Sequence, residues 1–316
     1  MNARYLDVIG VGECMVELYA DQPLGRAPSL IRSYGGDVLN SLVAICRLGG
    51  KAGFITRVGN DPFGQSLLSD WQNEGIDTRQ AHLVDGENGV YFISLTTDGE
   101  REFTYRRSNS AASLMEINQF DFSYIQSANC LLLSGITQAL SDSAQRVVFS
   151  AAVVARQFGV KVAFDPNYRP QLWRERGGVE QARAAFKKII PYVDYLLPSY
   201  PSDLVLLDDS PMKPDHAVER FGELCSVVGL KLGSDGCLLI SDEHPTSIPA
   251  TSVSNVVDST GAGDAWNGAF LFHYLRHFNL LQAATEANRY AAMTLGFRGA
   301  IPPFQAMDNY DFAKSF

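Results

Sequence analysis

Cysteine is scarce and scattered: Cys14, Cys46, Cys130, Cys225 and Cys237 are odd in number and form no Cys-x-x-Cys pair. That excludes a disulfide framework and a thiolate zinc site. The histidines are equally dispersed, and His273 with His277 lacks the intervening acid of a zinc-protease helix, so the pair reads as a solvated or half-buried helix face. No apolar run approaches the ~20 residues that cross a bilayer. Met1 to Asp7 lacks the basic-then-apolar order of a secretory signal, and the expected location is the cytoplasm. Basic charge is also short: 26 Lys and Arg against 35 Asp and Glu leave a formal net charge of −9. This opposes nonspecific nucleic-acid binding and leaves no polybasic membrane patch. An anionic substrate therefore needs local arginines, and a nucleotide needs a metal to offset the repulsion.

Two common nucleotide signatures are missing as well. Gly10-Val-Gly12 follows the first apolar run, but Met15 occupies the third glycine position of a dinucleotide fingerprint. No Gly-x-x-x-x-Gly-Lys-Ser/Thr string exists, since Ile45 and Ala52 stand where Gly and Ser/Thr are required around Gly50-Lys51.

What is present is ample apolar material: 46% of 316 residues. Short β-like runs at Asp7–Gly12, 51–58, 130–134, 161–165, 192–197, 227–232 and 237–241 alternate with helical patterns, among them 41–48. The expected class is α/β, a doubly wound, mainly parallel sheet with helices on both faces. The segments 14–34 and 89–107 break the alternation. In the second, Val90–Thr96 and Glu102–Arg106 flank the turn Thr97-Asp98-Gly99-Glu100, and together these segments predict a small antiparallel β flap. No repeat, low-complexity tract or linker divides the chain, which reads as one domain over 1–316.

Residues 256–270 carry the chemistry. Val-Val-Asp258-Ser-Thr260-Gly261-Ala262-Gly263-Asp264 sets two aspartates around a glycine turn, where apolar Ala265, Trp266, Ala269, Phe270 and Tyr274 open a helix. Glycines admit an anion to the backbone N–H groups, and the helix N-terminus adds its positive end. Asp264, in the first turn, can take a proton from an attacking hydroxyl while the amides of Gly261, Ala262 and Gly263 receive the growing charge. A lone acid there would merely complement the helix dipole; the clustered glycines and Asp258 favour phosphoryl transfer. A flap suits such chemistry because water competes as acceptor.

Gly35-Gly36-Asp37-Val-Leu-Asn40 together with Asp258-Ser-Thr-Gly-Ala-Gly-Asp264 resemble the two signatures of the ribokinase-like (phosphofructokinase-B) carbohydrate kinases, over almost the whole chain. The Gly35–Asn40 string and three others, Gly12-Glu-Cys-Met-Val-Glu-Leu18, Ser134-Gly-Ile-Thr137 and Asp165-Pro-Asn-Tyr-Arg-Pro-Gln-Leu-Trp173, are most similar to the 2-keto-3-deoxygluconate kinase branch of that family, and Phe297-Arg-Gly-Ala-Ile301 resembles the bacterial version of its C-terminal segment.

The resemblance implies ATP-dependent phosphorylation of the terminal (6-) hydroxyl of 2-keto-3-deoxygluconate. Asp264 would be the base and Gly261–Gly263 the anion hole. Gly35, Gly36 and Asn40 would hold sugar hydroxyls. Tyr91, Tyr105 and one of Arg106 and Arg107 would cover the sugar; these arginines alternate across a strand, so only one can face it. Arg169 would meet the substrate carboxylate, which an arginine fork binds through two parallel hydrogen bonds.

The same resemblance sets Lys231, Gly233, Ser234, Gly236 and Asn288 beside ATP. Mg²⁺ would ride on the nucleotide. Ser202 stands where relatives carry a magnesium-organising glutamate, and Asp203 is the candidate substitute. A monovalent cation occurs near the Asp258 loop in some relatives, and homodimers form through the flaps, where an exposed sheet face on Val90–Arg106 favours pairing. The competing readings are a kinase for fructose or a nucleoside, and a noncatalytic sugar-acid sensor.

Overall fold

The computed structural model describes residues 4–98, 100–208, 210–240, 245–277 and 279–309. In chain order the strands are β1 (Leu6–Val11), β2 (Met15–Tyr19), β3 (Ile31–Gly35), β4 (Ala52–Gly59), β5 (Asp77–Val84), β6 (Gly89–Leu95), β7 (Arg101–Arg106), β8 (Ala128–Ser134), β9 (Lys161–Asp165), β10 (Tyr195–Leu196), β11 (Val227–Lys231), β12 (Cys237–Ile240) and β13 (Thr246–Ile248). The helices are α1 (Asp37–Arg47), α2 (Pro62–Asn73), α3 (Gly135–Leu140), α4 (Asp142–Gln157), α5 (Pro170–Arg174), α6 (Gly178–Ile189), α7 (Pro214–Gly222), α8 (Ala262–His277) and α9 (Leu280–Thr294).

The large sheet runs β13-β12-β11-β10-β9-β8-β1-β4-β5. It is parallel from β5 to β11 and antiparallel only at the β11–β12–β13 edge. Its central strands are apolar on both faces, as a sheet covered by helices on each side requires. Along β8, Leu131 and Leu133 enter a core roofed by α4, α6 and α7, while Cys130 and Leu132 enter a second core under α1, α2, α8 and α9. Each fully buried Leu or Phe contributes roughly 1.5–3 kcal/mol, so both layers are held chiefly by this alternation. The expected α/β class, with its mainly parallel sheet, is the one found.

A small sheet of order β3-β2-β6-β7 stands apart from the large one. The β2–β3 and β6–β7 hairpins are antiparallel, but they meet through a parallel β2–β6 pair, so the flap is not antiparallel throughout. Thr96 N–H donates to Glu100 O at 2.7 Å across the hairpin turn; Gly99 of that turn lies outside the described residues, as does Ser241 beyond β12.

Other differences have local causes. The expected helix at 41–48 begins at Asp37, because Gly36 is extended and acts as its N-cap. The expected strand over 192–197 shrinks to β10, since Ile190–Tyr192 closes a 3₁₀ turn around Pro191. The strand β5 was not anticipated: its Asp-Thr-Arg-Gln-Ala-His-Leu-Val sequence belongs to a half-solvated edge and lacks an apolar run. His273 is buried rather than solvated, set edge-on against Phe272 at 5.0 Å; the side chain of His277 is outside the described set. All five cysteines are free.

Candidate active site

Ligands of open α/β sheets bind beyond the carboxyl ends of the strands, and the polar residues of this chain gather there. Glu13 follows β1, Ser134 ends β8, Asp165 ends β9 and Lys231 ends β11. The N-termini of α1 and α8 bring Asp37 and Asp264 to the same place.

Two cavities meet at this edge. One, of about 400 Å³, is lined by Gly35, Gly36, Asp37, Asn40, Arg107 and Arg169 on its polar side, and by Met15, Tyr91, Phe103 and Tyr105 from the small sheet. The other, of about 620 Å³, is lined by Lys231, Gly233, Ser234, Gly236, Trp266 and Asn288. The turn of residues 260–264 is the wall between them: Thr260, Gly261 and Asp264 face the first cavity, and Ala262 and Gly263 the second.

Gly261 is required at this wall. Its φ of +72° is left-handed, and a Cβ there would lie 2.7 Å from Ala300 Cβ. Gly261→Ala should cost ~1–2 kcal/mol from backbone strain alone, read as a lower denaturation midpoint; an unchanged midpoint would contradict the geometry. Gly36 is required for a different reason: a side chain would meet the Glu13 carbonyl oxygen at 2.0 Å.

Asp264 accepts a hydrogen bond from Asn40 Nδ2 at 2.8 Å, and its backbone oxygen accepts one from Ser41 Oγ at 2.8 Å. Burial, then the charge of Asp37, pushes its carboxyl up to about 8, against the lowering effect of the Asn40 bond. Asp37 itself accepts from Ser134 Oγ and, at 3.3 Å, from Asn167 Nδ2, leaving Oδ1 without a hydrogen-bond partner among the described residues. Burial raises its carboxyl too. A buried acceptor with a free oxygen lining a cavity is built to receive a hydroxyl.

The flap arginines resolve. Arg106 is exposed, donating to the Tyr105 carbonyl at 2.9 Å, and is not brought to the cavity. Arg107 lines the cavity, but its guanidinium is ion-paired with buried Glu13. Tyr91 donates to the Glu17 carboxylate, so it presents a ring, stacked 5.9 Å from Tyr105, more than a hydroxyl. Arg169 differs from both: its side chain makes no hydrogen bond or ion pair among the described residues, Asp165 and Glu175 included. Asp165 is taken by Lys231 at 2.9 Å and Asn267 at 2.5 Å.

That pairing changes the picture of Lys231 and Asn288 as well. The ammonium of Lys231 is held by Asp165 and, at 2.8 Å, by Asn267. Asn288 accepts from Trp266 Nε1 at 2.8 Å and donates to the Ile248 and Pro249 carbonyls. Both shape the second cavity through protein contacts.

Asp203 is not a substitute for the missing magnesium acid. Its oxygens accept Tyr168 N–H at 2.8 Å and Ser199 N–H at 2.7 Å, and it is fully buried. Ser202 is exposed and bonds the Ser199 carbonyl at 3.3 Å. Among the described residues no group of three or more His, Cys, Asp or Glu could cage a metal. A Mg²⁺ carried by nucleotide phosphates and waters, its usual habit, needs no such cage.

Residues that sequence reasoning missed are Glu13, Asn167 and Arg101. Asn167, at φ +39°, orients Asp37. Arg101 of β7 reaches Asp258, its Nη1 2.5 Å from Oδ1. Asp37 stood inside a recognised motif without a role; its position at a helix start after two glycines was the available signal.

Two ligand cavities sharing one wall of amides and a carboxylate, at the carboxyl edge of a parallel sheet, define a phosphotransferase. Comparison with known proteins gives the class its content: the chain belongs to the pfkB family of carbohydrate kinases, whose description matches residues 6–307. It is 31% identical to the 2-dehydro-3-deoxygluconokinase of Dickeya dadantii, over 94% of this chain and 97% of that protein. It is 28% identical to fructokinase-1 of Zea mays, over 93% of each. An uncharacterized sugar kinase of Pyrococcus horikoshii, solved in complex with ATP, superimposes with a TM-score of 0.81 at 27% identity, covering 98% of this chain and 99% of that one. This chain is a sugar kinase.

Proposed function

We propose that the sugar is 2-keto-3-deoxygluconate, also called 2-dehydro-3-deoxygluconate, and that the chain phosphorylates its 6-hydroxyl with ATP to give 2-keto-3-deoxy-6-phosphogluconate. The observation that carries this reading is Arg169. A cavity arginine with no protein partner among the described residues calls for an anion from the ligand, whereas Arg107 is already neutralised by Glu13. The name of the Dickeya dadantii relative supports the same choice.

In this mechanism the sugar occupies the cavity containing Asp37 and Arg169, and ATP the one behind Gly263. Its carboxylate lies on Arg169, and its hydroxyls bond Asp37 and Asn40. The terminal hydroxyl then lies against Asp264, which accepts its proton as the phosphoryl group crosses the wall. The amides of Gly261, Ala262 and Gly263 receive the equatorial charge. Mg²⁺ bound to the nucleotide neutralises phosphate charge when present. The small sheet serves as a lid, its Tyr91, Phe103 and Tyr105 excluding water from the sugar.

Asp37→Asn offers a test of the charge coupling inside this site. The Asp37 carboxylate raises Asp264, so removing its charge should move the acidic limb of the rate profile to lower pH while raising KM for the sugar. A limb that stays in place would contradict the coupling.

The homodimer remains part of the proposal, with exposed Leu30 and the 65%-exposed Ile31 of β3 offering apolar surface at the edge of the small sheet. Light scattering on the eluting protein should give twice the chain mass; a monomer at micromolar concentration would contradict it. A neutral-sugar kinase is the second reading, favoured by the maize fructokinase match and by the self-neutralised Glu13–Arg107 pair.

A further inference from the structure

The strand that covers the sugar cavity also touches the turn that divides the two cavities. Arg101 opens β7, the strand whose Phe103 and Tyr105 line the sugar cavity and which leads into Arg107. Arg101 shares a strand face with Phe103 and Tyr105, and its guanidinium ends on the turn: Nη1 lies 2.5 Å from Asp258 Oδ1, and Nη2 donates to the Val257 carbonyl.

Asp258 is the organiser of the turn. Its Oδ1 accepts Thr260 N–H at 2.8 Å, which sets the entry to Gly261, and its Oδ2 accepts Gly299 N–H at 2.9 Å. Ala300, next along, packs against Gly261. The Asp258 side chain is 2% exposed, yet it stays charged: burial raises its carboxyl, but the Gly299 and Thr260 hydrogen bonds and the Arg101 charge outweigh that and hold it low. A buried carboxylate of this kind is stable only with a counter-charge, and losing one partner leaves the other uncompensated. Glu17 of β2 is a further carboxyl near Asp258, but burial raises it and it accepts the Tyr91 hydroxyl, so the Arg101 charge answers Asp258.

We propose that Arg101 is a positioning residue that works as a built-in cation: it neutralises Asp258 and ties β7 to the glycine–aspartate turn, so seating the lid sheet over the sugar also sets the amides that receive the phosphoryl group. Arg101 touches no reacting atom in this account. It acts through Asp258 and Thr260, and the guanidinium takes the place that a mobile cation would otherwise need beside the Asp258 carboxylate and the Val257 carbonyl. The inference rests on the kinase reading of the site but not on which sugar is used.

The test compares wild type, Arg101→Ala and Arg101→Lys on whichever sugar the wild type phosphorylates best. Assays run in potassium and in tetramethylammonium buffer, with and without tens of millimolar guanidinium, and thermal midpoints report folding. Loss of this alignment should lower kcat of Arg101→Ala by ~10- to 100-fold, the scale at which small misplacements act. KM for ATP should change little. Added guanidinium should restore part of kcat, Arg101→Lys should fall between, and potassium should help the Ala variant while leaving wild type indifferent.

In tetramethylammonium buffer without guanidinium, an Arg101→Ala kcat within twofold of wild type would overturn the proposal, as would a wild type that already requires potassium. A loss that neither guanidinium nor the Lys variant relieves would assign Arg101 a merely structural part and also overturn it. If Arg101→Ala does not fold, the Lys variant decides in tetramethylammonium: a folded protein of intermediate kcat supports the proposal, and a Lys variant as fast as wild type overturns it. A wild type inactive on every sugar would instead sink the kinase reading, which keeps the two failures apart.

Discussion

Asp264→Asn should lower kcat by at least ~10²-fold, the usual contribution of a general base, in a protein that folds as before. Asn keeps the shape and can still meet Asn40, but it cannot take a proton from the sugar hydroxyl. The same substitution should stabilise the fold at alkaline pH. Burial and the Asp37 charge raise the Asp264 carboxyl to about 8, well above its value in an unfolded chain. A raised group binds its proton more tightly in the folded state, so its contribution is fully present at acid pH and is lost as pH rises through the folded value. Wild type should therefore lose thermal stability between about pH 5 and 8 more steeply than the Asn variant, which carries no such carboxyl. The pH dependence of kcat/KM should show the same group from the other side, climbing towards a plateau only above about pH 8 because the base must be ionised. Retained turnover in Asp264→Asn, or a rate already flat from pH 5.5 upward, would contradict the assignment of the base.

Arg169→Ala is the second large effect. Hydrogen bonds to charged groups contribute roughly 1.5–3 kcal/mol, so losing the carboxylate contact should cut kcat/KM for a sugar acid by ~10- to 100-fold. Activity on fructose, however low, should hardly change, because a neutral sugar presents no anion to this side chain. The comparison of the two substrates within one variant removes any general effect on folding or on ATP. Equal losses on both would mean that Arg169 shapes the cavity without reading charge.

Much of this was legible in the sequence because the signals were local. The two-faced apolar runs gave the parallel sheet, and the spacing of Ala265, Trp266, Ala269 and Phe270 set the start of α8, with Asp264 in its first turn. The partners of those residues were not legible, because each depends on a contact made far along the chain. Nothing near residue 107 says that Glu13 neutralises it, and nothing near residue 231 says that Asp165 and Asn267 hold its ammonium. Asp203 had the right charge for a magnesium role, but it is fully buried, with each oxygen accepting a backbone N–H. Arg101 was invisible for the same reason: 157 residues separate it from Asp258. The parallel pairing of β2 with β6 likewise joins hairpins that sequence treats separately.

The central claim, phosphoryl transfer to a carboxylated keto-sugar, is tested most directly by ADP release from the wild-type protein with ATP and Mg²⁺ across 2-keto-3-deoxygluconate, fructose, ribose and adenosine. The account predicts a kcat/KM for 2-keto-3-deoxygluconate at least ~10-fold above that for any neutral acceptor, the lower bound of one charged contact. A preference for fructose or a nucleoside over the sugar acid would contradict it.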